Sequence, residues 1–183
     1  MDKERIKKAV AEILRAIGEN SNKPELKKTP ERFADLMEDI LSGREKDVRD
    51  ILKVTHELKH DEMVLVKNVP FYSMCEHHLV PFFGKCHVAY IPKKNRIVGV
   101  SNLVKIIDIL SRKLQLQERL TTEIANSIMN HLEPKGVGVV IEARHLCIEM
   151  RGLKVPAEIV TSAVRGLFRH DIKTREEFLK LIK

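Results

Sequence analysis

Residues 63–91 read MVLVKNVPFYSMCEHHLVPFFGKCHVAYI, and this stretch decides the fold class. Its first part repeats valine at Val64, Val66 and Val69, and residues 86–90 alternate in its second part, at or near the two-residue period of a strand. The stretch therefore predicts two strands. The segment that joins them contains a cysteine and two histidines, so it also carries candidate chemistry.

The chain before this stretch has a helical pattern. Residues 3–17 and residues 29–41 both place apolar side chains at helical spacing, which predicts two amphipathic helices. Thr29 is the predicted N-cap of the second helix. A shorter helix near residues 48–52 leads into a connection that ends at Asp61.

After the stretch, the pattern returns to helices and then to strands. The order of helices, strands, two helices and strands indicates an α+β fold rather than a βαβ alternation. We expect an N-terminal helical segment over residues 1–61 and an α+β domain over residues 62–183 that contains the candidate chemistry. The later predicted elements are helices over 99–110 and 118–132, strands over 138–142, 145–150 and 158–164, and a last helix with a capping box of Thr174 and Glu177.

Composition narrows the function classes. With 33 Lys and Arg against 26 Asp and Glu in 183 residues, the net charge of +7 favours an anionic partner. Trp is absent and aromatic residues make up 4%, so a compact anion is favoured over nucleic acid. No apolar run reaches the roughly 20 residues of a membrane span, and the N terminus lacks a signal-peptide pattern, which predicts a cytoplasmic protein. Three cysteines exclude a disulfide scaffold.

Two clusters combine thiol and imidazole groups. Cys75, His77 and His78 form the first, and His145 and Cys147 form the second. Zinc takes thiolate and imidazole ligands, and a catalytic zinc ion keeps its fourth position open. Cys75 and His78 could hold one ion together with Cys147. His77 and His145 would then be available to transfer protons near neutral pH.

Another interpretation of these clusters stays open at this point. The cysteines could be buried free thiols, or a closed structural zinc site could be completed by Cys86, with the spare histidines acting as braces. Cys86 alternates with Val88 and Tyr90 in a strand pattern, so we interpret it as a core residue.

A polar run, Gln117-Glu118-Arg119, begins a predicted helix. It could be a solvated helix start. Alternatively, the carboxylate could accept two N–H bonds from a base edge such as that of guanine, with Gln117 adding its amide. Ser101 lies at another predicted helix N terminus and could bind a phosphate. The cations available for a triphosphate are Arg32, Lys105, Arg112, Arg119, Arg151 and Arg165.

Six motifs together resemble the zinc-dependent GTP cyclohydrolase I family, in the order found there. The similarity runs from about Thr29 to the C terminus, and six motifs with matched separations make a chance match improbable. The motifs are SMCEHHLVPF at 73–82, YIP at 90–92, QLQERLT at 115–121, GVGVV at 136–140, HLC at 145–147 and MRG at 150–152.

The resemblance implies a tunnelling fold, in which antiparallel strands and paired helices of several subunits close into a barrel. It implies a homodecamer of two pentameric rings, with active sites between subunits. The implied reaction is hydrolysis of GTP at C8 of guanine, release of formate and ring closure to 7,8-dihydroneopterin triphosphate, which opens tetrahydrofolate or related pterin synthesis. No membrane or nucleic-acid partner is expected. The alternative is a non-catalytic zinc- and nucleotide-binding regulatory protein of the same fold.

Matching positions give the implied site residues. Cys75, His78 and Cys147 would bind Zn2+, which lowers the pKa of bound water from about 15.7 towards roughly 7. His77 and His145 would move protons to and from the purine nitrogen and the ribose.

The resemblance also implies substrate contacts, with two departures from the family pattern. Glu118 and Gln117 would hold the guanine edge. The family commonly has Lys directly after the matched serine and Arg three residues further on, whereas this chain has Asn102 and Lys105. We expect weaker or rearranged triphosphate contacts, to which Lys105 still contributes. The remaining matched positions in the pocket or at the triphosphate are Arg32, Ser101, Arg119 and Arg151.

Overall fold

A computed structural model gives the fold. Contacts among Cα atoms divide it into two compact units, Met1–Ser42 and Gly43–Lys183. The functional division after residue 61 stays a prediction, and the connection predicted before Asp61 lies partly outside the described residues. The structure describes residues 1–20, 22–52, 54, 56–57 and 60–183.

The first unit contains helices α1 (Lys3–Ala16) and α2 (Thr29–Ile40). The first predicted helix is confirmed, and the carboxylate of Asp2 accepts a hydrogen bond from the backbone of its first turn at 3.0 Å. Thr29 is the first residue of α2 and not its N-cap, so that prediction is wrong by one position. Within this unit α2 buries Ala34, while two of its larger apolar residues remain exposed.

The second unit is built on an antiparallel sheet of β2, β3, β6 and β7, extended at one end by β5 in parallel, in the order β5-β2-β3-β6-β7. Because β2 and β6 both pair antiparallel with β3, they run in the same direction and end at the same edge of the sheet. β1 and β4 pair separately. The strands of the described chain are β1 (His56–Glu57), β2 (Val64–Cys75), β3 (Pro81–Ile91), β4 (Arg96–Ile97), β5 (Leu114–Gln115), β6 (Gly136–His145) and β7 (Glu158–Gly166).

Helices cover both faces of this sheet. α3 and α4 bury their apolar sides against one face and form the main core, which contains Cys86 as predicted. The rings of Phe168 and Phe178 cover part of the other face around Ala89. Gly138 permits this contact, because a Cβ atom there would lie 2.7 Å from the Phe168 ring. The helices are α3 (Val100–Ser111), α4 (Gln117–Leu132), α5 (Leu146–Glu149), α6 (Leu167–His170) and α7 (Ile172–Ile182), with a 3-10 turn at Val48–Asp50.

Two predicted elements differ from the structure. Residues 145–150 do not form a strand, because the pairing of β6 with β3 stops at His145 and the chain then turns into α5. The capping box of Thr174 and Glu177 is also wrong. Asp171 is the N-cap of α7, and its carboxylate accepts backbone hydrogen bonds from Lys173 and Thr174.

The α+β prediction is confirmed. An antiparallel sheet with a helix pair on one face is the architecture expected for one subunit of a tunnelling fold. Among the described residues, no helix is both long and apolar enough to cross a membrane.

Candidate active site

The site residues meet at the edge of the sheet where β2 and β6 end. Cys75 is the last residue of β2, and His145 is the last residue of β6. Between them β3 begins, with Phe82 paired to His145. β5 runs beside the end of β2, where Gln115 pairs with Cys75, and leads directly into α4 at Gln117. The sheet topology therefore brings three distant parts of the sequence together.

A tight turn, residues 75–79, carries the first cluster. The backbone N–H of Leu79 donates to the carbonyl of Cys75 at 2.9 Å, and Leu79 adopts a left-handed φ of 52°. His77 and His78 are both exposed on this turn, with ring centroids 6.2 Å apart and planes at 88°. We call residues 75–79 the metal-ligand turn.

The structure brings together the three residues predicted as metal ligands. The ligand atoms of Cys75, His78 and Cys147 all lie within 4.8 Å of one another. Cys75 is buried, Cys147 is half-buried and His78 is exposed, so the group is shielded on one side and accessible on the other. Two thiolates and one imidazole form a donor set that suits zinc and leaves a fourth position for a reactant.

Electrostatics at the two thiols also suit a cation. Burial raises the pKa of the Cys147 thiol, and the neighbouring Cys75 raises it further. The positive charge of Arg151 acts in the opposite direction. Because two adjacent thiolates repel each other, a positive charge beside them stabilises the ionised pair. The three side chains could therefore hold a divalent metal ion.

His145 is held from two directions. Its ring stacks on Phe82, with centroids 4.7 Å apart and an interplanar angle of 10°. Its Nε2 lies 2.7 Å from Oε1 of Gln117. Burial lowers the pKa of His145, whereas the negative charges of Glu118 and Glu149 raise it. The neutral imidazole is thus favoured by burial, and its ring plane is fixed.

Gln117 has partners different from those expected. Its side chain is 1% exposed, and its Nε2 donates to the carbonyls of Ile141 and Ile159 at 3.0 and 2.8 Å. With Oε1 facing His145, the whole amide is engaged inside the protein. A contact between Gln117 and guanine stays a prediction.

Glu76 was missed by the sequence analysis, and it pairs with Arg119. The Arg119 Nη2 donates to the Glu76 carboxylate at 2.6 Å, which lowers the pKa of Glu76. This ion pair joins the metal-ligand turn to the start of α4. Phe82 was also missed as a site residue. The only sequence signals were opposite charges in two separate motifs and an aromatic residue in a strand, and neither identifies a partner.

The residues predicted to contact the triphosphate lie on separate parts of the chain. Ser101 and Lys105 are exposed one helical turn apart on α3. In the part of the chain that the structure describes, no hydrogen bond or ion pair joins either of them to the three metal-ligand candidates. Arg151 is exposed just after α5, and Arg32 is exposed on α2 in the first unit. Their roles stay predictions.

A sequence profile described as GTP cyclohydrolase I matches residues 6–183. The chain belongs to the GTP cyclohydrolase I family. GTP cyclohydrolase 1 of Thermoanaerobacter pseudethanolicus is 56% identical over 183 residues, which cover 100% of this chain and 97% of that protein. GTP cyclohydrolase 1 of Clostridioides difficile is 54% identical over 184 residues, with the same two coverages of 100% and 97%.

A solved structure of a QueF-like archaeosine synthase in the apo form has a TM-score of 0.44 to this chain and 20% sequence identity. The match covers 57% of this chain and 96% of the archaeosine synthase.

Membership of the GTP cyclohydrolase I family confirms the resemblance carried by the six motifs. It also confirms the prediction of an enzyme of this family. The alternative, a non-catalytic regulatory protein of the same fold, is not favoured by relatives that match over the full length of the chain.

Proposed function

We propose that the protein hydrolyses GTP at C8 of guanine in a zinc-dependent reaction. C8 leaves as formate, the ribose rearranges, and a pterin ring closes to give 7,8-dihydroneopterin triphosphate. This reaction opens tetrahydrofolate or related pterin synthesis. The observation that carries the proposal is the group of Cys75, His78 and Cys147 within 4.8 Å, beside two further histidines, in a full-length member of the family.

Cys75, His78 and Cys147 are the residues that would hold zinc. Thiolate and imidazole are ligands that zinc prefers, and three protein ligands leave room for a reactant. A zinc ion there would supply Lewis acidity, which activates water near neutral pH. The exposed side of the group, at His78, is the side from which substrate would approach.

His77 and His145 would transfer the protons of the reaction. His77 lies on the metal-ligand turn and is exposed, so it can reach a substrate bound beside the metal. His145 is fixed by its stacking on Phe82 and its contact with Gln117. Ring opening at C8 and rearrangement of the ribose both need protons added and removed, and positioned imidazoles serve both steps.

Glu118 would recognise the guanine base. Its carboxylate is exposed in the first turn of α4, where a negative charge is favoured by the helix dipole. It can accept hydrogen bonds from N1–H and the 2-amino group of guanine together. Adenine offers an acceptor at N1 and lacks the 2-amino group, so the same carboxylate would exclude it.

The triphosphate would bind basic residues near the start of α3. Ser101 lies in the first turn of α3, and Lys105 lies one turn later on the same side. Arg151 lies close enough to Cys147 to influence the pKa of its thiol. Arg32 and Arg119 are further proposed contacts, although the guanidinium of Arg119 is already paired with Glu76.

We also propose that the protein is a homo-oligomer, a decamer of two pentamers. In the described chain, β7 has a strand neighbour on one side only, and β2 meets β5 only at Met74 and Cys75. Unpaired edges of this kind favour pairing with another copy, and repeated pairing closes a barrel. A cytoplasmic location and the absence of a nucleic-acid partner stay predictions.

The direct test is formate release from GTP by the purified protein, measured before metal removal, after removal, and after zinc is restored. We expect formate only with zinc bound, and none from ATP under the same conditions. Absence of formate from an assembled, zinc-replete protein would contradict the proposal and favour the regulatory alternative.

A further inference from the structure

The amide of Gln117 can have only one orientation. Its nitrogen faces the carbonyl oxygens of Ile141 and Ile159, on two neighbouring strands. Carbonyl oxygens only accept hydrogen bonds, so the NH2 group must face them. If the amide were flipped, its oxygen would oppose both carbonyls in a buried position. Oε1 must therefore be the atom that faces His145.

The fixed amide in turn selects the position of the proton on His145. Oε1 of Gln117 only accepts hydrogen bonds, and it lies 2.7 Å from Nε2 of His145. A neutral imidazole with its proton on Nδ1 would place two lone pairs against each other at that distance. With the proton on Nε2, the contact is a hydrogen bond.

We propose that Gln117 is a positioning residue that holds the neutral imidazole of His145 with its proton on Nε2. This inference rests on the proposed role of His145 in the hydrolysis of GTP at C8 of guanine. It assigns Gln117 a role through His145 that is separate from the predicted contact with guanine.

The surroundings make this arrangement rigid. Gln117 is the first residue of α4, and its backbone carbonyl accepts a hydrogen bond from Thr121 at 2.6 Å. The Thr121 hydroxyl also meets that of Thr161 on β7 at 2.7 Å. Stacking on Phe82 holds the plane of the His145 ring. The acceptor and the ring are therefore each fixed independently.

The test compares Gln117→Leu with a matched control, Asn126→Leu, in the zinc-loaded full chain. The control removes another polar link between α4 and β7, the hydrogen bond from Arg165 to Asn126 at 3.0 Å. Solid-state nitrogen-15 spectra of histidine-labelled protein in alkaline buffer report which ring nitrogen carries the proton. The His145 signals are identified as those missing in His145→Asn. Zinc content and kcat are measured on the same samples.

We expect the proton on Nε2 in the wild-type protein and in Asn126→Leu. Gln117→Leu should show a mixture of tautomers, with kcat reduced about 10- to 100-fold, KM for GTP within about twofold and zinc content unchanged. Asn126→Leu should keep its kcat within about twofold.

A wild-type spectrum with the proton on Nδ1 would overturn the inference. A Gln117→Leu protein with the wild-type spectrum and kcat would also overturn it. The wild-type spectrum decides the point even if Gln117→Leu fails to fold. Absence of formate release from the wild-type protein would instead overturn the proposed function, and the spectrum would still test the contact with Gln117.

Discussion

Cys86 and Cys147 are the same residue type in opposite environments. Cys86 is fully buried in β3, and burial alone raises the pKa of its thiol far above the usual range. Cys147 is half-buried and lies within 4.8 Å of the other two ligand candidates. The position in the fold, rather than the residue type, therefore decides which thiol can bind metal.

Substitution of each cysteine by alanine separates these roles. We expect Cys147→Ala to lose zinc, because only two protein ligands remain. Cys86→Ala should keep one zinc ion per chain and lower the free energy of unfolding by about 1 kcal/mol, because it leaves a small cavity in the core. Elemental analysis and denaturant unfolding give both quantities. A Cys147→Ala protein that retains stoichiometric zinc would remove Cys147 from the ligand set.

His77→Ala should keep zinc and assembly while formate release falls by at least about 100-fold. The reason is that His77 is not among the three clustered ligands, whereas a general acid or base contributes on this scale. The control is His170→Ala, which changes an exposed histidine on α6. Formate release is measured at saturating GTP. Unimpaired turnover in His77→Ala would contradict its role in proton transfer.

A substitution of Asn102 tests the proposed triphosphate site at the start of α3. Asn102→Lys restores the cation common in the family next to Ser101, and we expect it to lower KM for GTP by about two- to tenfold. Asn22→Lys adds the same charge at an exposed position in the first unit and controls for net charge. Steady-state kinetics measure both variants. Equal KM values in Asn102→Lys and the wild-type protein would contradict the expected phosphate contact.

At the scale of elements, the start of α7 shows how local hydrogen bonds to one side chain fix where a helix begins. The Asp171 carboxylate accepts from the Thr174 hydroxyl and from the backbone N–H groups of Lys173 and Thr174. These bonds favour the ionised form and lower the pKa of Asp171 from 3.8. α7 also carries Phe178, whose ring contacts Phe168 across the sheet face.

Asp171→Ala should lower the midpoint of thermal unfolding more than Glu177→Ala, which removes the carboxylate of the capping box predicted from the sequence. Because the folded-state pKa is lowered, the contribution of Asp171 is present above pH 3.8 and is lost as the pH falls through the folded-state value. The difference between the wild-type protein and Asp171→Ala should therefore shrink in acid. Thermal unfolding at several pH values measures this. A pH-independent difference would contradict the role of the ionised carboxylate.

At the scale of the whole molecule, the described residues leave one edge of the sheet unpaired, at β7, and several large apolar side chains exposed. Val160 on β7 is 59% exposed, and the loop after α5 exposes Leu153 at 80%. Exposed apolar side chains beside an unpaired strand edge favour contact with another copy. The proposed decamer would place these features inside an assembly.

Native mass spectrometry should therefore find assemblies of ten 21.1 kDa chains. Formate release should fall when dilution dissociates them, because neighbouring copies would complete the site. The same diluted sample, returned to high concentration, should regain both mass and activity. A monomer that turns over GTP at the full rate would contradict the assembly.

The sequence by itself determined most of the longer elements and the types of side chain that are candidates for the site. Periodicity located the strands of residues 63–91 and the helix pair, because core-facing positions repeat with the geometry of each element. The spacing of the residue types also indicated thiol and imidazole ligands, because Cys75 and His78 lie three residues apart on one short turn. These properties depend on neighbours in the sequence.

Only the tertiary structure decided which distant side chains meet. Gln117 lies 28 residues from His145, and Glu76 lies 43 residues from Arg119. Strand register, helix placement and rotamer set such contacts together, and periodicity specifies none of them. The sequence did not predict the end of β6 for the same reason. An alternating pattern continues past His145, but the pairing with β3 ends there. The long-range packing of strands and helix α4 therefore determined that Gln117 contacts His145 and that Arg119 pairs with Glu76.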